Sequence, residues 1–340
     1  MARSIAFYLP QFHPIPENDT WWGAGFTEWT TVTRGRPLYP DHYQPHIPAD
    51  LGYYDLRDPS VRLRQAALAR RYGIEGFCYY HYWFAGRRLL ERPFDEMLVS
   101  GEPDFPFCLC WANQSWTGVW YGAPDRILVE QTYPGTEDHL RHFAYLLTAF
   151  RDPRYIRVEG KPLLLIFSPR ELPEQTDLLH LWREQARAAG LPGLFILGIS
   201  HIRRHDVLDS LGYDGTVTML VPPPRRKGPG PTIYQHDRIV DQLVQVREPG
   251  TVDFPCVSPN WDNTPRTGTN GVVLQNSSPA LFYRNLMTAH RAVADEPDDR
   301  KLIFLKAWNE WGEGNHLEPD RRFGHGFLEQ LPKAEQAAQA

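Results

Sequence analysis

The chain reads as an α/β protein, a single-domain (β/α)8 TIM barrel with long loops on one end. Three observations predict this. Eight short apolar runs rich in β-branched and aromatic residues are spread along the 340 residues. Helical periodicity occupies most of the intervals between them. Tryptophan and polar residues collect just after the runs rather than within them.

The runs are Ile5–Leu9, Gly76–Tyr80, Phe105–Trp111, Leu163–Phe167, Leu194–Ile199, Gly215–Leu220, Phe254–Ser258 and Leu302–Ala307. Each is apolar almost without interruption, as a parallel strand covered on both faces must be. Ser60–Tyr72 spaces Val61, Leu63, Ala67 and Leu68 as a helix does, and Asp138–Phe150 places Leu140, Phe143, Leu146, Leu147 and Phe150 at intervals of three and four. Leu178–Ala189, Arg238–Val246 and Ala280–Val293 follow the same period, and a weaker pattern lies around Pro93–Val99. Strands alternating with helices eight times fit the barrel. An open doubly wound sheet is the rival topology. It usually carries a glycine-rich phosphate turn after its first strand, whereas here strand one runs into Pro10-Gln11-Phe12-His13-Pro14.

No internal repeat or interdomain linker is visible, so residues 1–340 read as one domain. The longest excursion, 11–58, follows strand one and is dense in Trp, Tyr, His and Pro. The loops after strands six and seven carry Pro222–Pro231 and Thr267–Gly271. Long loops at the C-terminal ends of barrel strands usually shape a site. The acidic run Asp295–Asp299 precedes strand eight and belongs on the opposite face.

Composition narrows the function classes. A net charge of −5 gives no basic face for nucleic acid. No run approaches the roughly 18 apolar residues of a membrane span. Ala2-Arg3-Ser4 leads straight into a short apolar run ended by Pro10, which is not a signal peptide, so the expected location is cytoplasmic. Cys78, Cys108, Cys110 and Cys256 fall in predicted strands and read as buried small hydrophobes. His42/His46 and His201/His205 have i,i+4 spacing without the glutamate of a zinc-binding helix, and no metal is expected. Phosphate-loop, dinucleotide and nucleophile-elbow patterns are missing from the sequence, so no cofactor is implied.

Strand eight ends in Trp308-Asn309-Glu310-Trp311-Gly312-Glu313-Gly314. Two carboxylates three residues apart can face one side of a turn. Paired carboxylates beside aromatic rings suit glycosidic chemistry, one protonating a leaving oxygen and the other serving as base. Ten of the eleven tryptophans, all but Trp182, fall at strand ends or in the loops after them: Trp21, Trp22, Trp29, Trp83, Trp111, Trp116, Trp120, Trp261, Trp308 and Trp311. Some of these rings would line a sugar-binding cleft and about half would pack beneath it. Polar residues end the same strands: Tyr8, Gln11 and His13; Tyr80, His81 and Tyr82; Asn113 and Gln114; Asn260 and Asp262; Asn309. A barrel brings all of them toward one opening.

Phe7–Pro14, Trp21-Trp22-Gly23, Gly25-Phe26-Thr27-Glu28-Trp29, His42-Tyr43-Gln44-Pro45-His46, Gly76–Trp83, Cys110–Asn113 and Trp308–Gly314 together resemble the WbsX-like proteins. These bacterial proteins accompany polysaccharide and O-antigen genes, are described as glycosyltransferases, and are related to family 99 glycoside hydrolases, the endo-α-mannosidases. The resemblance runs over most of the chain and implies the (β/α)8 barrel. It implies that Glu310 is the base acting on a sugar 2-hydroxyl, through an epoxide-like intermediate, and that Glu313 is the general acid/base. It adds Glu28, Trp29 and His46 to the residues expected at the substrate. Gln114 departs from the pattern, because the relatives carry glutamate there. The leading expectation is a retaining glycoside hydrolase or transglycosidase acting on a bacterial polysaccharide or O-antigen-type oligosaccharide, mannose-like sugars included. The alternatives are a sugar-nucleotide glycosyltransferase, with Arg225, Arg226 and Lys227 as diphosphate contacts, and a carbohydrate-binding protein without catalysis.

Overall fold

A computed structural model of the chain describes residues 1–118, 123–202, 208, 211–224, 228–244 and 252–339. Trp120, His205 and the Arg225–Lys227 group lie outside the described residues, as does the end of the helix expected at Arg238–Val246.

Eight parallel strands close on themselves. They are β1 (Arg3–Tyr8), β2 (Ile74–Phe84), β3 (Phe107–Trp111), β4 (Lys161–Ile166), β5 (Phe195–Ser200), β6 (Gly215–Thr218), β7 (Asp253–Val257) and β8 (Leu302–Leu305). Each pairs in parallel with the next, and β8 returns to β1 in the register Arg3↔Leu302 to Ala6↔Leu305. The eight runs read from the sequence are these eight strands. Nearly every residue in them is buried, which is why they carry no polar alternation.

Eight helices matter to the layout: α1 (Pro16–Trp22), α2 (Glu28–Thr33), α3 (Pro59–Arg71), α4 (Arg92–Ser100), α5 (Thr136–Phe150), α6 (Gln175–Ala188), α7 (Pro279–Ala292) and α8 (Gln330–Gln339). Local chemistry starts and stops them. Asp58 accepts the Ser60 amide ahead of α3, Ser278 accepts the Leu281 amide ahead of α7, and both helices place Pro at their first position. Gly101 ends α4 in the left-handed conformation at φ 73°.

Three helical details differ from the sequence reading. After β6 only one helical turn, His236–Ile239, and a 3-10 turn, Val240–Gln242, occur among the described residues. The C-terminal α8 has a weak pattern, burying Leu331 and Ala334, and Pro332 in its first turn masks it. The 11–58 excursion holds the short α1 and α2, below the length at which periodicity is informative.

That excursion crosses the C-terminal end of the barrel and is tied down along its length. Glu28 donates its amide to Gln11 O, Leu56 to Phe12 O, and Trp29 Nε1 to Tyr54 O. Ala49 N→Pro319 O and Arg321 N→Ile47 O join it to the segment after β8. The acidic run sits at the other end, where Arg3 Nη1 donates to Asp299 O and the Glu159 amide donates to Asp299 Oδ2. All four cysteines are buried and unbridged. No helix among the described residues is long and apolar enough to cross a membrane.

Candidate active site

A cavity of about 560 Å³ opens at the C-terminal end of the barrel, within the range of small-ligand sites. Its floor is Glu310, Glu313, Lys306 and Arg266, its walls include Gln11, Tyr80, Tyr82 and Gln114, and Trp22 and Trp116 stand at the side.

The glutamates are held by a tight turn. Asn309–Glu310 pairs antiparallel with Asn315–His316, and Trp311–Glu313 forms a 3-10 turn between them. Gly314 sits at φ 60°, and a Cβ there would meet Asp262 at 2.9–3.2 Å, so this close approach requires glycine. The Asp262 amide donates to Glu313 O at 2.7 Å, locking the turn to the loop after β7.

Five charges meet on this floor. Lys306 Nζ lies 3.0 Å from Glu310 Oε1 and 3.5 Å from Glu313 Oε2. Arg266 Nη1 lies 2.6 Å from Glu313 Oε1, while its Nε and Nη2 reach Glu28 Oε1 at 2.9 and 2.8 Å. Glu310 and Glu313 also share a hydrogen bond. Three carboxyls and two fixed cations leave one unmatched negative charge, and a buried cluster sheds it by keeping a proton. Burial, then the Glu310 charge, raises Glu313 to about 7. Burial also pushes Glu310 upward, but Lys306, the Glu313 hydrogen bond and Arg266 outweigh it and bring Glu310 down to about 2. Environments that push two carboxyls apart separate an acid from a base. Behind them Glu28 is raised by burial against the opposing Arg266.

Of the residues expected at the substrate, Gln11, Trp22, Tyr80, Gln114 and Trp116 line the cavity with the two glutamates. Trp261 lies beside it, its ring 5.6 Å from Lys306 Nζ. The others are placed behind or below. Tyr8 donates to Gln65 Oε1 and points into the helix layer at α3. His13 is buried on Pro10 O. Glu28 and Trp29 lie under the floor, Trp29 packing 5.5 Å from Trp311. His46 meets His316, its Nδ1 2.9 Å from Nε2. His81 meets His142 at 2.8 Å, while Trp83 stacks on His142 and Trp111 packs edge-on against it, all in the β2–α5 interior. Asn260 and Asp262 line a second, much smaller cleft, where His42 and Gln44 each donate to Asp262 Oδ2 at 2.7 Å. Trp308 packs on Phe77, and Trp311 stacks on His316 at 3.6 Å while donating to Glu318.

Two asparagines clamp the rim instead of entering the cavity. Asn309 accepts the Leu9 amide and donates to Leu9 O, joining β8 to β1. Asn113 does the same with Ser168, joining β3 to β4.

Lys306 and Arg266 are cavity residues that the sequence reading does not name, whereas Tyr82, read as a polar strand end, does line the cavity. Lys306 had a signal, since a lysine inside a run of otherwise buried strand residues needs an anion, and Glu310 follows it by four. Arg266 had none, because its loop is irregular. His46, His316 and Asp320 are the one group among the described residues whose donor atoms could together hold a metal. Asp320 is already taken up by the Arg322 and Phe323 amides and the Tyr43 hydroxyl.

Comparison with known proteins assigns the family. The chain matches the family described as Glycosyltransferase WbsX over residues 4–331. It is 39% identical over 350 aligned residues to a Xanthomonas campestris pv. campestris protein described as "Uncharacterized protein WxcX", with 98% of this chain covered. The chain belongs to the WbsX family. It spans about half the length of that relative, 49%, and a second strain carries the same match. Among solved structures this WbsX-family chain is similar to one described as "Glycoside hydrolase-like protein", at TM-score 0.65 and 15% identity, covering 98% of this chain and 93% of that one. It is also similar to the GH99 endo-alpha-mannosidase from Bacteroides thetaiotaomicron, at TM-score 0.58 and 14% identity, covering 99% and 97%. The shared feature is the barrel fold.

Proposed function

We propose that this WbsX-family protein is a carbohydrate-active enzyme that breaks or transfers a glycosidic bond with retention, Glu313 serving as acid/base and Glu310 as base. The observation that carries this reading is the divergent pair on the cavity floor. One carboxyl keeps a proton near neutral pH and its neighbour stays ionised.

The spacing favours a particular route. A retaining pair that attacks the sugar carbon directly stands roughly 5–5.5 Å apart across the bond. Here the two carboxyls are close enough to interact directly, nearer than that separation. That suits Glu310 taking the proton of the sugar 2-hydroxyl while the 2-oxygen closes on the anomeric carbon. Glu313 gives its proton to the departing oxygen, and the C–O bond breaks. In the second half Glu313 takes a proton from water or an acceptor hydroxyl, which attacks the anomeric carbon. The bond between the 2-oxygen and the anomeric carbon breaks, and the 2-oxygen recovers its proton from Glu310. Trp22 and Trp116 offer faces for sugar C–H groups. A bacterial polysaccharide or O-antigen-type glycan is the substrate class, with mannose-like sugars tried first because a neighbour in fold is an endo-alpha-mannosidase.

The family description favours a second reading, transfer from a nucleotide sugar. One experiment separates the readings. Purified protein is incubated with a panel of O-antigen and capsular polysaccharides, with and without nucleotide sugars. New reducing ends without a nucleotide sugar support the hydrolase. Release of nucleotide only when donor and acceptor are both present supports the transferase. Binding with neither product supports a carbohydrate-binding protein.

A further inference from the structure

Neither Lys306 nor its neighbours on β8 belong to the glutamate motif, yet Lys306 is an almost fully enclosed charge on the cavity floor. Its side chain is 6% exposed. The groups that face it come from several strands. Glu310 and Glu313 follow β8, Tyr80 OH on β2 lies 3.4 Å away, Cys256 belongs to β7, and His201 follows β5. Burial keeps the Cys256 thiol and the Tyr80 phenol protonated and the His201 ring neutral. The Trp261 ring adds only a face, 5.6 Å from Nζ. Among the described residues, the ammonium therefore has no anion except the glutamate pair.

Arg266 is different. It touches Glu313, but two of its three nitrogens are engaged by Glu28, which is fully buried. Its charge is matched by Glu28 before the pair is counted. The pair then faces one unmatched cation with two carboxyls, and it retains one proton. Lys306 decides where that proton goes. It is hydrogen-bonded to Glu310 at 3.0 Å, whereas Glu313 Oε2 is buried with no donor bonded to it. A carboxyl oxygen with no donor is the cheaper place for a proton.

We propose that Lys306 is a positioning residue that assigns the two roles: its ammonium fixes Glu310 as the carboxylate and leaves the pair's single proton on Glu313. As Glu313 releases that proton, Lys306 at 3.5 Å is already placed to meet the new charge, so no rearrangement is needed at that moment. The catalytic use of this arrangement rests on the proposed reaction. The proton distribution does not, and it can be tested without substrate.

The test is a carbon-13 NMR titration of full-length protein labelled at glutamate side-chain carboxyls, with Glu310→Gln and Glu313→Gln to assign the signals. In the wild type, the Glu313 signal is expected to titrate near neutrality while Glu310 stays ionised down to the acid limit of folding. In Lys306→Met, the proton affinity of Glu310 is expected to rise at least tenfold, and Lys306→Arg is expected to restore the wild-type pattern. Both glutamates titrating together as ordinary carboxylates in the wild type would overturn the proposal, and this arm stands even if Lys306→Met does not fold. An unchanged Glu310 titration in a folded Lys306→Met protein would overturn it equally. Once a substrate is found, the acid limb of kcat/KM should move to higher pH in Lys306→Met. A merely structural lysine would lower activity without moving that limb. If no glycan is cleaved but the titrations behave as described, the proposed reaction fails and the role of Lys306 stands.

Discussion

A Cβ placed on Gly312 would stand 1.8 Å from Oε1 of Glu28. The turn between the two glutamates is thus pressed against a third, buried carboxyl, and Arg266 Nε would also lie only 2.9 Å from the added atom. Gly312→Ala must push Glu28 off Arg266 or bend the turn. Overpacking of this kind costs about 1–3 kcal/mol. The expected outcome is a lower midpoint in chemical denaturation and a loss of turnover larger than the stability loss explains. Wild-type turnover in a folded Gly312→Ala protein would show that the Glu28–Arg266 contact does not support the site.

The rim clamp separates packing from chemistry. Asn309 is buried and satisfies both backbone groups of Leu9. Asn309→Ala leaves that amide and carbonyl without partners, at about 1–3 kcal/mol for each group left unsatisfied. A denaturation midpoint lowered accordingly is expected, with little change in ligand affinity for the fraction that remains folded. If Asn309→Ala keeps its stability and loses affinity, the asparagine contacts substrate instead.

Residues of one residue type show how far the sequence could be read. The strands were legible because burial on both faces leaves continuous apolar runs, and the acidic pair was legible because strand eight ends abruptly in it. Direction at a strand end was not. Asn113 and Asn309 lie among cavity residues in the sequence, yet each folds back onto the neighbouring strand. His81 and Trp83 belong to a strand longer than its apolar core suggested, β2 running to Phe84, and they turn into the α5 interior. A polar or aromatic residue after a strand carries no mark of which neighbour it meets. The Glu28–Arg266 pair joins positions 238 residues apart, and no local pattern encodes such a contact.

Stability should respond to pH in a way that identifies the two glutamates. Glu313 has its carboxyl raised to about 7. Its contribution is fully present below the unfolded value near 4.5 and is lost as pH rises toward 7. Glu310, lowered to about 2, works in the opposite sense. Its contribution is present above about 4.5 and is lost as pH falls toward 2. Glu318, raised by burial to about 7, adds to the first effect. Unfolding free energy measured from pH 4.5 to 7.5 should therefore fall less steeply in Glu313→Gln than in the wild type, with a residual slope from Glu318. Identical slopes would mean that Glu313 is an ordinary ionised carboxylate.

The aromatic side of the cavity should act on binding alone. Trp22 and Trp116 line this side. Covering ~50 Å² of sugar C–H surface is worth ~1 kcal/mol at roughly 25 cal/mol per Å². Trp22→Ala and Trp116→Ala should each raise KM about fivefold and leave kcat close to wild type, the pattern of uniform binding. A fall in kcat with unchanged KM would place the ring at the transition state instead.

Replacing the carboxyls decides between an enzyme and a binding protein. Glu310→Gln and Glu313→Gln keep the shape of the floor while removing the proton traffic. Loss of a general acid or base costs roughly 10²–10⁴-fold in rate, so both variants should be almost inactive and should bind the glycan within about tenfold of wild type. The two need not be equal. Glu313→Gln loses the donor to the leaving oxygen, so a substrate with a good leaving group, such as an aryl glycoside, should recover part of its rate. Glu310→Gln loses the base that activates the sugar's own hydroxyl, and a better leaving group should recover less. Wild-type turnover in both variants would remove the pair from the chemistry. Equal recovery by the aryl glycoside in both would remove the division of roles that their different surroundings, Lys306 on Glu310 and Arg266 on Glu313, impose.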